Sequence, residues 1–250
     1  MSKFKEQIRR AFAITKKDVK IYYSKGPVVI FGLLFPLFLF LAYTIGRNMP
    51  LKELMSGIIG MTVFFTSTSV GPGIVPWETR SRTLERLICC PITFWAIILG
   101  DVLSSFIFGV AISIIPVIFT LTLGLDPLNF IILVAVLTLA SFCFSALSVL
   151  LSSYPPTDIP ATTMMMSSLV KFPLVFISGI FIPTEQLPQW GKIVSLISPL
   201  TYFTDISRHI ILGEGCCPII VDVIAIMAFT VAFMVAAIKI HERTLSRRIS

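Results

Sequence analysis

Six long apolar runs leave few folds open to this chain. They extend over residues 27–46, 54–76, 94–123, 128–151, 162–182 and 218–240. Each meets the roughly 20 residues that a helix needs to cross a hydrocarbon layer about 30 Å thick. Lipid offers backbone N–H and C=O groups no partners, so only helices and closed barrels can span it. These runs are too long and too continuously apolar for the alternating strands of a barrel. An all-α integral membrane protein with six transmembrane helices is therefore expected. Composition agrees, with 56% hydrophobic and 13% charged residues, against about 45–50% and 25% in soluble domains. In 250 residues, six spans are expected to leave no room for a separate soluble enzyme domain, so residues 1–250 are expected to form a single transmembrane domain.

A net charge of +7 would suggest nucleic acid in a soluble protein. Here the basic residues flank the spans, and no nucleic-acid partner is expected. Fifteen of the 20 Lys and Arg fall in the N-terminal tail, the loop after the second span and the C-terminal tail. Arg47, Lys52, Lys192 and Arg208 fall on the opposite side, and Lys171 lies within the fifth span. Positive charge concentrates on cytoplasmic loops, so both termini are expected in the cytoplasm of a multi-pass cell (plasma) membrane protein. Residues 1–26 alternate basic and apolar groups, with Phe4, Ile8, Phe12, Val19 and Tyr22 at helical spacing. That suits an interfacial amphipathic helix in contact with membrane lipids, ended by Lys25-Gly26-Pro27. It lacks the uninterrupted apolar core of a cleaved leader, so the first span is expected to act as the insertion signal.

Two loops carry more pattern than a linker needs. The first is Trp77 to Pro91, WETRSRTLERLICCP. Its charges bar it from the bilayer, and Leu84, Leu87 and Ile88 form a helical apolar stripe that Pro91 ends. The second is Ser178 to Arg208, SGIFIPTEQLPQWGKIVSLISPLTYFTDISR, in which Pro183, Pro188 and Pro199 prevent one long helix. Ser178, Gly179, Pro183, Pro188, Trp190, Pro199, Tyr202, Asp205 and Arg208 match a block typical of ABC-2 type transporter permeases. Glu78, Thr83, Leu84, Glu85, Leu87 and Pro91 match a second block of that family, which often has Gly where this chain has Arg82. The chain thus resembles the membrane subunit of an ATP-driven exporter.

That resemblance implies a cytoplasmic coupling helix at 77–91, set into a cleft of a separate ATP-binding cassette subunit. Glu78, Arg82, Thr83, Leu84, Glu85 and Arg86 would make the coupling. It implies a re-entrant helix pair at 183–212 that dips into the outer leaflet. It implies a dimer, either a homodimer or a pairing with a sister permease, whose path runs between spans two and five. Phe64, Phe65, Thr66 and Thr68 on span two, with Met165, Met166, Leu169 and Phe176 on span five, are the path candidates. Their apolar character favours a lipophilic or amphipathic cargo of the drug, lipid or glycan class.

The chain itself has no G-x-x-x-x-G-K-[ST] loop, H-E-x-x-H or G-x-S-x-G. It is not expected to be an enzyme and needs no cofactor or metal; ATP and Mg belong to the partner subunit. His209 and His241 stand apart and are read as interfacial polar residues. Asp101 and Lys171 are ionisable groups inside spans, expected either to pair with each other or to reach the headgroups separately. Asp205 and Arg208 stand one helical turn apart and can pair locally. Cys89-Cys90 and Cys216-Cys217 fall on opposite membrane faces; the latter pair allows a disulfide across a dimer but suits small fillers at a span boundary as well. Two other readings stay open: an ion-coupled secondary transporter, and a non-transporting sensor or assembly subunit of an ABC complex.

Overall fold

A computed structural model describes residues 2–24, 26–45, 51–181, 184 and 187–249. Lys25, Gly46, Arg47, Ile182 and Pro183, which figure in the expectations above, lie outside the described residues. Eleven α-helices make up the described chain, with no strand among the described residues. They are α1 Ser2–Asp18, α2 Gly26–Thr44, α3 Leu51–Ser67, α4 Gly71–Arg80, α5 Thr83–Cys89 and α6 Phe94–Thr122. They continue as α7 Pro127–Leu151, α8 Pro160–Ile177, α9 Gln189–Ser195, α10 Pro199–Leu212 and α11 Ile219–Ile249. A π-helical turn, Val19–Tyr23, extends α1. Five stretches are long and apolar enough to cross a membrane: Leu51–Arg80, Phe94–Thr122, Pro127–Leu151, Pro160–Ile177 and Ile219–Thr244.

The bundle is built around α3, which packs against α6, α7, α10 and α2. Within the span Leu51–Arg80, 94% of the apolar window is buried, against 17% for that of α11. The outer faces of α6, α7 and α11 instead present Ile118, Phe119, Ile131, Ile224, Met227 and Val231. Apolar surface on this scale is what lipid, not water, would cover. Inside, Phe64 meets Phe144 edge-on at 5.2 Å, and Phe144 meets Phe203 at 6.4 Å. Small residues bring α3, α6 and α7 together. A methyl group on Gly109 would stand 2.1 Å from Ser67 Oγ and 2.6 Å from Ser141 Oγ. The two serine hydroxyls bond each other at 2.9 Å.

The second span departs from a single helix over 54–76. Regular helix stops at Ser67 and resumes at Gly71. Its hydroxyls bond back to their own turn, Thr66 to Thr62 O at 2.6 Å, Thr68 to Phe64 O at 2.7 Å and Ser69 to Thr66 O at 2.8 Å. Such bonds compete with the helical ladder and bend it, and Pro72 and Pro76 supply no N–H. Lys171 Nζ, from α8, donates to the Thr68 carbonyl at 3.2 Å. The Asp101–Lys171 pair, one of the two expectations, is thus not formed; the lysine closes the helix break and Asp101 points elsewhere.

Other helix ends differ from the expected spans. The fifth span ends at Ile177 rather than 182 because Gly179 takes a left-handed φ of 78°. The sixth runs on to Ile249. Residues 189–212 form two helices, α9 and α10, with Pro199 opening the second. All five cysteines are free thiols.

Candidate functional site

One end of the bundle carries the first patterned loop. The expected helix over 77–91 is two pieces: Trp77–Arg80 continue α4, and α5 covers only Thr83–Cys89. Between them Arg82 adopts φ 53°, ψ 23°, a left-handed conformation that L side chains resist and glycine accepts. Leu84 is buried and pins α5 to the bundle, while Arg82, Glu85 and Arg86 are exposed. The Thr83 hydroxyl donates to the Glu78 carbonyl at 3.2 Å, locking the turn.

The N-terminal helix braces this turn. α1 lies along the start of α6, where Thr15 Oγ1 donates to the Gly100 carbonyl at 3.1 Å. Gln7 Nε2 donates to Pro91 O at 3.2 Å, and its Oε1 accepts from Thr93 N at 2.9 Å. Phe4 stacks on Trp95 at 5.7 Å, and Tyr22 on Trp77 at 5.4 Å. Phe4 and Phe12 remain exposed, in keeping with an interfacial helix. Both junctions of α5 with the spans are therefore tied to the same helix.

Glu78 is the residue whose position departs most from expectation. It is 1% exposed and bonded to Lys17 of α1. Its carboxylate thus packs against its own chain, at a small cavity that Lys17, Thr83 and Arg86 also line. Lys17 also lies 3.1 Å from Asp18, whose carboxylate is fully buried. Burial alone would lower the Lys17 pKa; Glu78 and then Asp18 outweigh it and hold the ammonium above the usual lysine range. Burial pushes the Asp18 carboxyl up, with Lys17 pulling it partly back. Asp101, fully buried, faces Asp18. Two carboxylates, Glu78 and Asp18, thus share one ammonium where α1 meets α4, with Asp101 of α6 beside Asp18.

The path candidates divide. Phe64, Thr66 and Thr68 are fully buried, packed or hydrogen-bonded within the protomer. Met165, Met166, Leu169 and Phe176 are exposed on α8. Phe65 instead edges a cavity of about 540 Å³ between α2, the α3–α4 break and α8, with Phe35, Trp77, Phe172 and the buried Lys171.

At the other end, Ser178 accepts through its carbonyl from Thr204 Oγ1 at 2.8 Å, joining α8 to α10. Tyr202 donates to Leu196 O at 2.9 Å, folding α9 back on α10. Trp190 is exposed, and Pro188 and Pro199 stand just before α9 and at the start of α10. Asp205 has a different employment from a local pairing with Arg208. Its two oxygens accept from the backbone N–H of Cys216 and Cys217 at 2.9 and 3.0 Å. His241 is buried and lies 3.0 Å from both Ser152 Oγ and Val149 O, tying the end of α11 to α7.

The sequence profile of the ABC-2 type transporter family matches residues 4–212. The chain belongs to the ABC-2 type transporter family. Nodulation protein J of Bradyrhizobium diazoefficiens is 27% identical over 171 residues, 66% of this chain and 63% of that one. The probable multidrug ABC transporter permease YbhR of Escherichia coli is 27% identical over 150 residues, 57% of this chain and 39% of that one. The putative transport permease ycf38 of Pyropia yezoensis is 28% identical over 164 residues, 63% and 54% of the two chains. Less than two thirds of each of these relatives is spanned. With its apolar helices, the ABC-2 chain is a multi-pass membrane protein of that family.

Sequence reasoning missed Gln7, Lys17 and Asp18 as braces of the turn, and Asp222 as a buried acid. Asp222 had the same signal as Asp101: a carboxylate inside an apolar run. Asp18 had a weaker one, an acid in a basic segment.

Proposed function

We propose that this permease forms half of an exporter for lipophilic or amphipathic cargo, driven by a separate ATP-binding subunit. The carrying observation is the braced turn: α5 exposes Arg82, Glu85 and Arg86 while Leu84, Thr83 and α1 fix it to the spans. A push on such a helix reaches α4 and α6 without being absorbed by a slack loop, as movement between discrete packed states requires. Residues Met165, Leu169, Phe172 and Phe176 fall at spacings of four, three and four along α8. That seam suits packing against a second copy or a sister permease. The neighbouring cavity, apolar except for Lys171, Ser168 and Ser69, suits an amphiphile.

We count α2 as the first of six spans. Gln7 reaches Thr93, and His241 packs on Phe94 at 6.4 Å, so α1 and the far end of α11 lie at one face. An even number of crossings between them supports α2 as a span. The charge bias supports a cytoplasmic location for that face, in a plasma membrane. ATP and Mg would be bound by the partner alone, and this chain would catalyse nothing.

Reconstitution of the purified complex into vesicles tests this reading. ATP-dependent movement of a fluorescent acyl amphiphile, reduced by Lys171→Met, is expected. An ATPase that responds to no amphiphile and moves none would favour a sensing or assembly role.

A further inference from the structure

The membrane face opposite α5 holds a second polar site that the transport reading does not use. A cavity of about 230 Å³ opens there between α9, α10, the 213–218 loop and the start of α11. Asp205 of α10, Cys217 of the loop and Asp222 of α11 each turn one ligand-type atom toward the others. Those atoms lie within 4.8 Å of one another. Asp205 is spoken for in part, since its oxygens accept the Cys216 and Cys217 amides. A carboxylate has about four lone-pair positions, so acceptor capacity remains.

Asp222 is the independent sign of a ligand. It is 2% exposed, lines this cavity, and its Oδ2 has no hydrogen-bond partner. A buried carboxylate oxygen without a donor is costly, and a second carboxylate beside it raises the cost. The close polar neighbour of Asp222 is the Asp205 carboxylate, an acceptor like itself unless the two share a proton; Ser195 and Thr201 spend their hydroxyls on Lys192 O and Ser195 O. Tyr202 spends its hydroxyl on Leu196 O, Cys216 Sγ lies 3.0 Å from Thr184 Oγ1, and Lys192 is exposed at the rim.

We propose that Asp205, Cys217 and Asp222 bind a divalent zinc-class cation, pinning the 213–218 loop across α10 and α11. One thiolate with two carboxylates suits a borderline-soft metal and disfavours Mg²⁺ or Ca²⁺, which take oxygen alone. Zn–S and Zn–O bonds are about 2.3 and 2.0–2.2 Å, so two ligands of one tetrahedral ion stand about 3.4–3.7 Å apart. A small inward movement closes the site. Water fills the fourth position, and the cavity has room for several at about 30 Å³ each. Binding takes the thiolate and both carboxylates, so the Cys217 thiol gives up its proton to solvent.

The test is equilibrium dialysis of the full-length chain in detergent micelles under a phosphine reductant, with Zn²⁺ as probe and Ca²⁺ as comparison. One tightly held Zn²⁺ per chain is expected, with a higher thermal midpoint. Cys217→Ser and Asp222→Asn should each weaken it by more than about tenfold, since even groups supporting a ligand cost that much. Cys216→Ser should not, and Cys217→His should restore binding, because imidazole also ligates zinc. Size-exclusion profiles identify any variant that fails to fold; Cys217 is exposed, so its variants keep the test alive if Asp222→Asn aggregates. Failure to hold Zn²⁺, equal retention by Cys217→Ser, or equal competition by Ca²⁺ would overturn the proposal. None of these outcomes bears on export.

Discussion

Gly100→Ala isolates the seat of the N-terminal helix on α6. A methyl group at residue 100 would stand 2.7 Å from Ile14 Cγ2, 2.8 Å from Ile14 Cβ and 2.9 Å from the Ala11 carbonyl oxygen. None of these is a flexible side-chain tip; two are the branch of a buried isoleucine and one is backbone. The helix must therefore lift, which strains packing by about 1–3 kcal/mol. Lifting also stretches the Thr15–Gly100 hydrogen bond, worth about 0.5–1.5 kcal/mol. Against this, alanine is the better helix former by about 0.8–1.0 kcal/mol. The sum is a net loss of about 0.5–3.7 kcal/mol. Gly191→Ala provides the control, because its methyl would meet Leu187 and Pro188 at 3.4–3.5 Å, ordinary contact. Detergent-induced unfolding followed by tryptophan fluorescence reads the stabilities, and limited proteolysis reads whether α1 has lifted. Gly100→Ala should lower the midpoint and expose α1 to protease, while Gly191→Ala should do neither. Equal behaviour of the two variants would refute the close packing of α1 on α6.

Two further substitutions probe the turn. Arg82→Gly should stabilise the protein by up to about 1 kcal/mol, since it relieves a left-handed residue at some entropic cost; a lowered thermal midpoint would mean the arginine side chain holds the turn. Lys17→Met strands Glu78 and Asp18 without their counter-ion and should cost about 3–5 kcal/mol, the penalty for breaking a buried pair. Glu78→Gln should cost less, because Lys17 keeps 29% of its side chain exposed and can turn to water. The reverse order in chemical-unfolding midpoints would contradict the buried-cluster reading.

Much of this architecture could be read from apolar run length alone. Lipid allows only helices for such runs, and the boundaries of α6 and α7 fall within a residue of expectation. The break after Ser67 was harder to read, because a Ser/Thr run is compatible with a helix until Gly71, Pro72 and Pro76 are added to it. The charged residues were least legible. Asp101 and Lys171 looked like partners because both sit in apolar runs at similar depth. Pairing depends on which helix faces point together, and that is set by α1 docking on α6 and by the Thr68 carbonyl left open at the break. Glu78 fitted a family motif at a presumed surface, yet the three-dimensional course of α1 places Lys17 over it. Exposure of Glu85 and Arg86 did follow from the stripe of Leu84, Leu87 and Ile88, which leaves the charged face of a short helix outward.

The proposed function stands on α5 as the docking element for an ATP-binding subunit. Affinity purification of the chain from its native membrane in mild detergent, with partner mass and ATPase activity as readouts, tests it most directly. A stoichiometric partner bearing a phosphate-binding loop, retained by Lys192→Ala on the opposite face and lost on Glu85→Arg, is the predicted result. A chain that purifies alone without ATPase activity, or a partner held equally well by Glu85→Arg, would contradict it.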